Sequence, residues 1–263
     1  MTQSNYEYSG LMAQFWDLLR GDTSRWEDRF FYLDVIRQHG QPALDVGCGT
    51  GRLLLDYMQQ GIDIDGVDNS PEMLDLLCQK AAALGLSPRV ALQTMETLDL
   101  PRRYRVILVP SSSFQLLTEP VAAAEALRRF YRHLEPGGVL VMSLYILGVD
   151  DAGQPIDQEE WTKEVVRPED GAIIRRWSRS VYDHAQQMED TEDRYDVLVD
   201  GAVVASEQRS RLRATRGYTQ AQAIQLLQEA GFADVYLTSG FSFTPAAAED
   251  TLFCVFGTRP SLS

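Results

Sequence analysis

The stretch ALDVGCGTGRLLLDYMQQGIDIDGVDNS, residues 43–70, constrains this chain more than any other. It holds, in order, an apolar strand pattern, glycines at Gly47, Gly49 and Gly51, a helix pattern over 52–60, a second strand pattern and Asp68. Two apolar strands joined through a helix make a parallel crossover, which needs cover on both faces. The alternation continues, with further strands expected over 62–67, 90–93, 106–109 and 139–145 and helices over 71–84 and 121–134. Ser70, Pro71 and Glu72 supply a capping hydroxyl, a proline at the first helical position and an acid near the positive end of the dipole. The pattern predicts an α/β fold with a doubly wound, Rossmann-like sheet.

Outside this alternation the patterns differ. Residues 1–40 are aromatic-rich and helical in pattern, with a glycine stop at Gly40. Residues 148–170 are acidic and rich in Gly and Pro, and read as a linker or mobile loop. Strand-like sequence follows over 173–213, with Asp200 and Gly201 as a two-residue hairpin turn. A helix over 219–230 and strands over 234–239 and 252–258 complete the reading.

Counting outward from that turn places Arg194 opposite Glu207, Glu192 opposite Arg209 and Asp190 opposite Arg211. Such pairs each contribute about 0.2 to 1 kcal/mol on a solvated face. The row Arg209, Arg211 and Arg213 therefore reads as charge-zipped, with substrate binding as the alternative.

A formal charge of -14 without a basic run argues against nucleic acid as partner. No window resembles a membrane span or a secretory leader, and Cys48, Cys78 and Cys254 have no metal or disulfide spacing. A cytoplasmic protein with reduced thiols is expected, acting on a small molecule as a monomer or homodimer. His39, His133 and His184 are too scattered to suggest a metal site. His39 and His133 suit helix ends, and His184 is a candidate base over the pocket.

Glycines at the first strand-to-helix turn let the backbone approach a ligand. Asp68 ends the second strand, 17 positions after Gly51, where a carboxylate can accept from both ribose hydroxyls of an adenosine. Nicotinamide enzymes share that aspartate, but their GxGxxG spacing differs: here the third glycine comes one position early. Asp45 before the turn would disfavour a pyrophosphate and suit an ammonium.

LDVGCGTG, GVDNSPEML, LQTMETLDLP, VILVPSSSFQLL and EPGGVLVMSLY form an ordered set over 43–145. In this set the chain resembles the class I S-adenosylmethionine-dependent methyltransferases, and in its small-molecule branch the sugar amine and glycine N-methyltransferases. The resemblance implies a seven-stranded sheet with the last strand antiparallel, a β-rich insertion before the last helix, and S-adenosyl-L-methionine as cofactor. It implies a methionine tail against Asp45, Gly47, Cys48, Gly49 and Gly51, a ribose on Asp68 beside Asn69, and adenine near Met73, Thr94, Met95 and Glu96, with Pro110 at the fourth strand. It divides the chain into a helical cap (1–40), a cofactor core (41–147), a linker and β insertion serving as lid or dimer surface (148–216), and a C-terminal helix with the last two strands (217–263).

Family members often carry an asparagine or histidine where this chain has Ser112 and Leu116. Tyr8, Trp16, Ser113, Phe114, Tyr145 and His184 are the remaining pocket candidates. Tyr6, Tyr8, Phe15, Trp16 and Trp26 could close over the cofactor, with packing on the sheet as the alternative for Phe15, Trp16 and Trp26. The expected function is methyl transfer to a small molecule, including amines. An NAD(P)-dependent oxidoreductase and a non-catalytic S-adenosylmethionine-binding protein are the alternatives.

Overall fold

The computed structural model describes residues 8–150 and 153–261. Its main sheet has seven strands: β1 (Ala43–Val46), β2 (Ile64–Asp68), β3 (Val90–Leu92), β4 (Tyr104–Val109), β5 (Leu134–Tyr145), β10 (Ala233–Ser239) and β11 (Leu252–Thr258), in the order β10-β11-β5-β4-β1-β2-β3. β11 runs antiparallel to both neighbours and the other pairings are parallel. The doubly wound fold and its antiparallel last strand are as the sequence leads one to expect.

β1 is buried throughout because helices cover both faces. One face carries α6 (Pro120–His133) and α7 (Gln220–Glu229), whose Leu127, Phe130 and Leu227 pack with Leu44, Ile107 and Leu140. The other carries α3 (Glu27–His39), α4 (Leu54–Gln59) and α5 (Pro71–Ala83), whose Tyr32, Ile36, Leu54 and Leu77 pack with Ala43, Val106 and Phe256. α5 starts where Ser70 Oγ accepts the Met73 amide at 3.1 Å, and α7 starts at a capping box of Thr219 and Gln222.

Between β5 and α7 stands a second, four-stranded antiparallel sheet: β6 (Gln158–Val166), β7 (Ile173–Asp183), β8 (Met188–Val199) and β9 (Ala202–Arg216). The region expected as a loop therefore contains β6. Its sequence, QEEWTKEVV, is almost wholly exposed, so no apolar alternation marks it. Backbone pairing with β7 and contacts such as Glu164 with Arg175 at 2.5 Å hold it at the sheet edge.

The expected register of the β8–β9 hairpin is corrected. Asp200 and Gly201 form the turn with positive φ, and Leu198 pairs with Val203, but Val197 then pairs with Ala205. Val204 is bulged out, and the extra residue shifts the pairs from Val197–Ala205 to Thr191–Arg211 by one, before a second irregularity between Glu189 and Thr191 displaces the last pairs further. Arg194 lies opposite Gln208, Glu192 opposite Ser210 and Thr191 opposite Arg211. Arg209 instead meets Glu207 on its own strand at 2.6 Å and donates to the Ser9 carbonyl at 2.9 Å.

The inner face of this second sheet covers two short helices, α1 (Gly10–Gln14) and α2 (Trp16–Arg20). Met12, Phe15 and Leu19 pack with Ala172, Ile174, Tyr195 and Val197. The amides that open α1 find tertiary acceptors: Glu72 accepts from Gly10 at 2.5 Å and Glu207 from Leu11 at 2.7 Å. Among the described residues no helix is long and apolar enough to cross a membrane.

Candidate active site

The carboxyl ends of β1, β2, β3 and β4 lie beneath the N-terminal helices and the second sheet, leaving a cavity of about 390 Å³. Open α/β sheets bind ligands at this edge, and small-molecule sites span roughly 300–1,000 Å³.

After β1 the chain turns through Gly47 and Gly49, both with positive φ. A Cβ on Gly47 would lie 2.9 Å from Ser113 Oγ, so glycine lets this turn pack against the segment after β4. A Cβ on Gly49 would meet nothing within 4 Å, which leaves its main chain open to a ligand. Gly51 serves a different purpose. A Cβ there would lie 2.9 Å from both Leu55 and Leu77, so this residue permits helix packing and does not line the cavity.

Asp68, at the end of β2, accepts the Gly49 amide at 2.8 Å and the Ser70 amide at 2.9 Å, one on each oxygen. Burial raises its pKa while these amides oppose the rise. Asp45 is 2% exposed, and its Oδ1 has no hydrogen-bond partner among the described residues. Burial pushes its carboxyl up to about 7, against the attraction of Arg52. Arg52 is itself held by both oxygens of Asp28.

Arg20 enters from α2. Its guanidinium sits 4.9 Å from the ring centroids of both Trp16 and Trp26, and donates to Ser111 Oγ at 3.5 Å. Among the described residues no carboxylate lies within ion-pair distance of it. Burial, followed by repulsion from Arg52, lowers its pKa. Asp17 fixes α2 here, accepting from Thr50 Oγ1 at 2.6 Å and from Lys80 Nζ at 2.9 Å.

The other walls are Cys48, Asn69, Met73, the 3₁₀ turn after β3 with Thr94, Met95 and Glu96, and the segment after β4 with Pro110, Ser111, Ser113, Leu116 and Leu117. Tyr8 and Trp16, in edge contact at 4.7 Å, close the top with Arg211 of β9. Every residue expected at the cofactor except Gly51 thus lines one cavity.

Of the remaining candidates, Tyr8, Trp16 and Ser113 line the cavity and three do not. Phe114 is fully buried in the core, its ring 5.8 Å from Tyr218. Tyr145 ends β5 outside the lining. His184 Nε2 lies 3.0 Å from the Ile156 carbonyl, at a separate cavity of about 150 Å³ at the base of the second sheet. Phe15 packs on that sheet, Trp26 stacks on Arg20 and Arg52, and Tyr6 lies outside the described residues. His133 links the Arg129 carbonyl to the Leu100 amide.

Residues 43–138 match the model of a family described as methyltransferase domain. The chain is 33% identical over 125 residues to malonyl-[acyl-carrier protein] O-methyltransferase of Serratia marcescens, covering 46% of each chain. It is 29% identical over 143 residues to dTDP-3-amino-3,6-dideoxy-alpha-D-glucopyranose N,N-dimethyltransferase of Streptomyces fradiae, covering 52% of this chain and 54% of that one. The chain spans about half the length of the relatives it matches. In fold the likeness extends further: the S-adenosylmethionine-bound amino pentose methyltransferase CalS10 of Micromonospora echinaspora superposes with a TM-score of 0.68 at 22% identity, over 98% of this chain and all of that one.

Around the cavity, sequence reasoning missed Arg20 and Arg52, while Arg211, read chiefly as part of a charge-zipped face with substrate binding as the alternative, lines it. Arg20 had a signal, standing four residues after Trp16 on one helix face. Arg211 had its signal in the arginine row, but the register count that paired it with Asp190 did not include the Val204 bulge.

Proposed function

We propose that the chain is an S-adenosylmethionine-dependent methyltransferase that methylates the nitrogen of a small-molecule amine. One observation carries this reading: Asp45, Arg20 and Asp68 face one cavity, and together they complement an amino acid joined to a ribose. Asp45 Oδ1 would hold the ammonium, Arg20 the carboxylate, and Asp68 the ribose hydroxyls. Met73, Thr94, Met95 and Glu96, which line the same cavity, would hold the adenine. A nicotinamide dinucleotide would place a pyrophosphate against Asp45, where two like charges repel.

When bound, S-adenosylmethionine supplies a methyl group already activated on a sulfonium, which a neutral amine takes up without prior loss of a proton. The chain therefore has to orient and to exclude water, effects worth about 7–11 kcal/mol in favourable cases. Tyr8, Trp16 and the second sheet cover the cavity from solvent, and their aromatic faces favour a sulfonium. Among the described residues no histidine lines it, which suits an acceptor that needs no strong base. The names of the relatives that act on amino sugars support nitrogen as the attacking atom. The reading includes a cytoplasmic enzyme, monomeric or dimeric, with no nucleic-acid partner.

Isothermal titration with S-adenosylhomocysteine and with NADH tests the cofactor. Binding of the first alone is expected, and tight NADH binding without a response to S-adenosylhomocysteine overturns the proposal. An amine acceptor screen with labelled S-adenosylmethionine tests catalysis, and turnover excludes a purely binding role.

A further inference from the structure

Gln115 has no place in the chemistry above, yet it is fully buried at the point where the second sheet joins the core. It belongs to a 3₁₀ turn, Ser113–Leu116, whose residues face two ways. Ser113 and Leu116, with the following Leu117, line the cavity, while Phe114 and Gln115 point away from it into the protein.

The Gln115 side chain makes three hydrogen bonds, all to main chain. Its Oε1 accepts the Tyr145 amide at 2.9 Å, and its Nε2 donates to the Tyr145 carbonyl at 3.1 Å and to the Arg216 carbonyl at 3.0 Å. Tyr145 is the last residue of β5 before the chain departs for the second sheet, and Arg216 is the last residue of β9 as it returns. One amide therefore holds both roots of the insertion. The Arg216 guanidinium adds a bond from the same root, donating to the Thr118 carbonyl at 3.1 Å.

The turn that Gln115 anchors is unusual in its backbone. Ser111 and Ser112 precede it with φ of 54° and 56°, a left-handed conformation that non-glycine residues adopt only when neighbours enforce it. The Ser112 amide donates to Ser143 Oγ at 3.3 Å, and Ser143 is buried in β5 two residues before Tyr145. The cavity wall formed by Ser111, Ser113, Leu116 and Leu117 is thus fixed to the same end of β5 that launches the lid.

We infer that Gln115 is a positioning residue that joins the cavity wall after β4 to both roots of the second sheet, so that this sheet is held over the cavity as one body with the wall. The inference builds on the proposed cofactor pocket only in its ligand-dependent arm. A ligand against Ser113 and Leu116 tightens the lid roots through Gln115, without touching them.

Hydrogen exchange on the full chain tests this, with Gln115→Met as the variant because methionine preserves length and volume and removes all three bonds. Without ligand, exchange at the Tyr145 amide and in peptides spanning 143–149 and 214–219 should accelerate at least tenfold, with peptides of β1 and β4 unchanged. Unaltered root exchange, or equal acceleration throughout the core, overturns the inference. Gln115→Glu, which retains only an acceptor for the Tyr145 amide, should release the 214–219 root more than the 143–149 root, and it decides the matter if Gln115→Met does not fold. With S-adenosylhomocysteine, wild type should show at least fivefold slowing at both roots. Gln115→Met should bind it within threefold of wild type and lose that slowing; slowing retained in the variant overturns the coupling. If wild type does not bind S-adenosylhomocysteine, the cofactor reading fails while the ligand-free comparison still decides the role of Gln115.

Discussion

Replacing Asp45 with asparagine should make the ligand-free protein more stable at alkaline pH and a poorer binder of S-adenosylhomocysteine. Asp45 is buried, its Oδ1 lacks a partner among the described residues, and burial moves its carboxyl from an ordinary 3.8 to about 7. The sign follows from proton binding. Between these values the folded state holds a proton that the unfolded state has released, so this group's contribution to stability falls as pH rises from about 4 to about 7. Asparagine has no such dependence. Each pH unit in that window corresponds to about 1.4 kcal/mol, so from pH 5 to pH 8 the stability of Asp45→Asn relative to wild type should grow by about 2–3 kcal/mol. Urea unfolding at both pH values gives that difference directly, since all other titrating groups are common to the two proteins. A relative stability that does not change with pH would mean that the carboxylate stays charged when the pocket is empty, and would refute the reasoning. In the same variant, S-adenosylhomocysteine affinity at pH 8 should fall at least tenfold, because an ammonium loses its counter-charge. Wild-type affinity should rise with pH through about 7 as Asp45 ionises.

Asp68→Ala should weaken S-adenosylhomocysteine binding at least tenfold by calorimetry, since two ribose hydroxyls lose an acceptor and the Gly49 amide loses its partner. Arg20→Met should weaken S-adenosylhomocysteine at least tenfold but change 5′-methylthioadenosine, which lacks the amino acid tail, less than threefold; equal losses for both ligands would remove Arg20 from the tail site. Arg209→Ala should speed hydrogen exchange at the amides of α1 at least fivefold, because Arg209 ties Ser9 to the lid. Unchanged exchange in α1 would show that the Glu72 and Glu207 contacts suffice.

The core was legible because its physics is local. Alternating apolar strands, the Ser70-Pro71 helix start and the glycine turn each declare themselves within a few residues, and Asp68 falls at the pocket because a strand end fixes its reach. Gly51 reads like its neighbours because a glycine needed for helix packing and one needed for ligand approach look alike in sequence. Phe114 and Gln115 were similarly opaque, since a 3₁₀ turn alternates between cavity and interior without a period long enough to read. The hairpin was misread for a sharper reason. A register count from the Asp200-Gly201 turn is sound until a bulge intervenes, and nothing in the Val203-Val204 pair marks which residue steps out of the ladder. β6 escaped notice because edge pairing, rather than burial, holds its charged sequence in a strand.

The bulge at Val204 also makes the underside of the lid unusually editable. Along β9, Glu207, Arg209 and Arg211 are half-buried while Ser206, Gln208, Ser210 and Leu212 are exposed. Deleting Val204 would remove the irregularity nearest the turn and turn over the side chains between it and the second one at Glu189–Thr191. The cavity would then lose Arg211 from its roof, and α1 would lose Glu207 and Arg209 from the Leu11 amide and the Ser9 carbonyl, in one step. For a fold whose relatives accept different substrates, gain or loss of one residue at a hairpin offers a wider change of chemistry than any single substitution in the pocket.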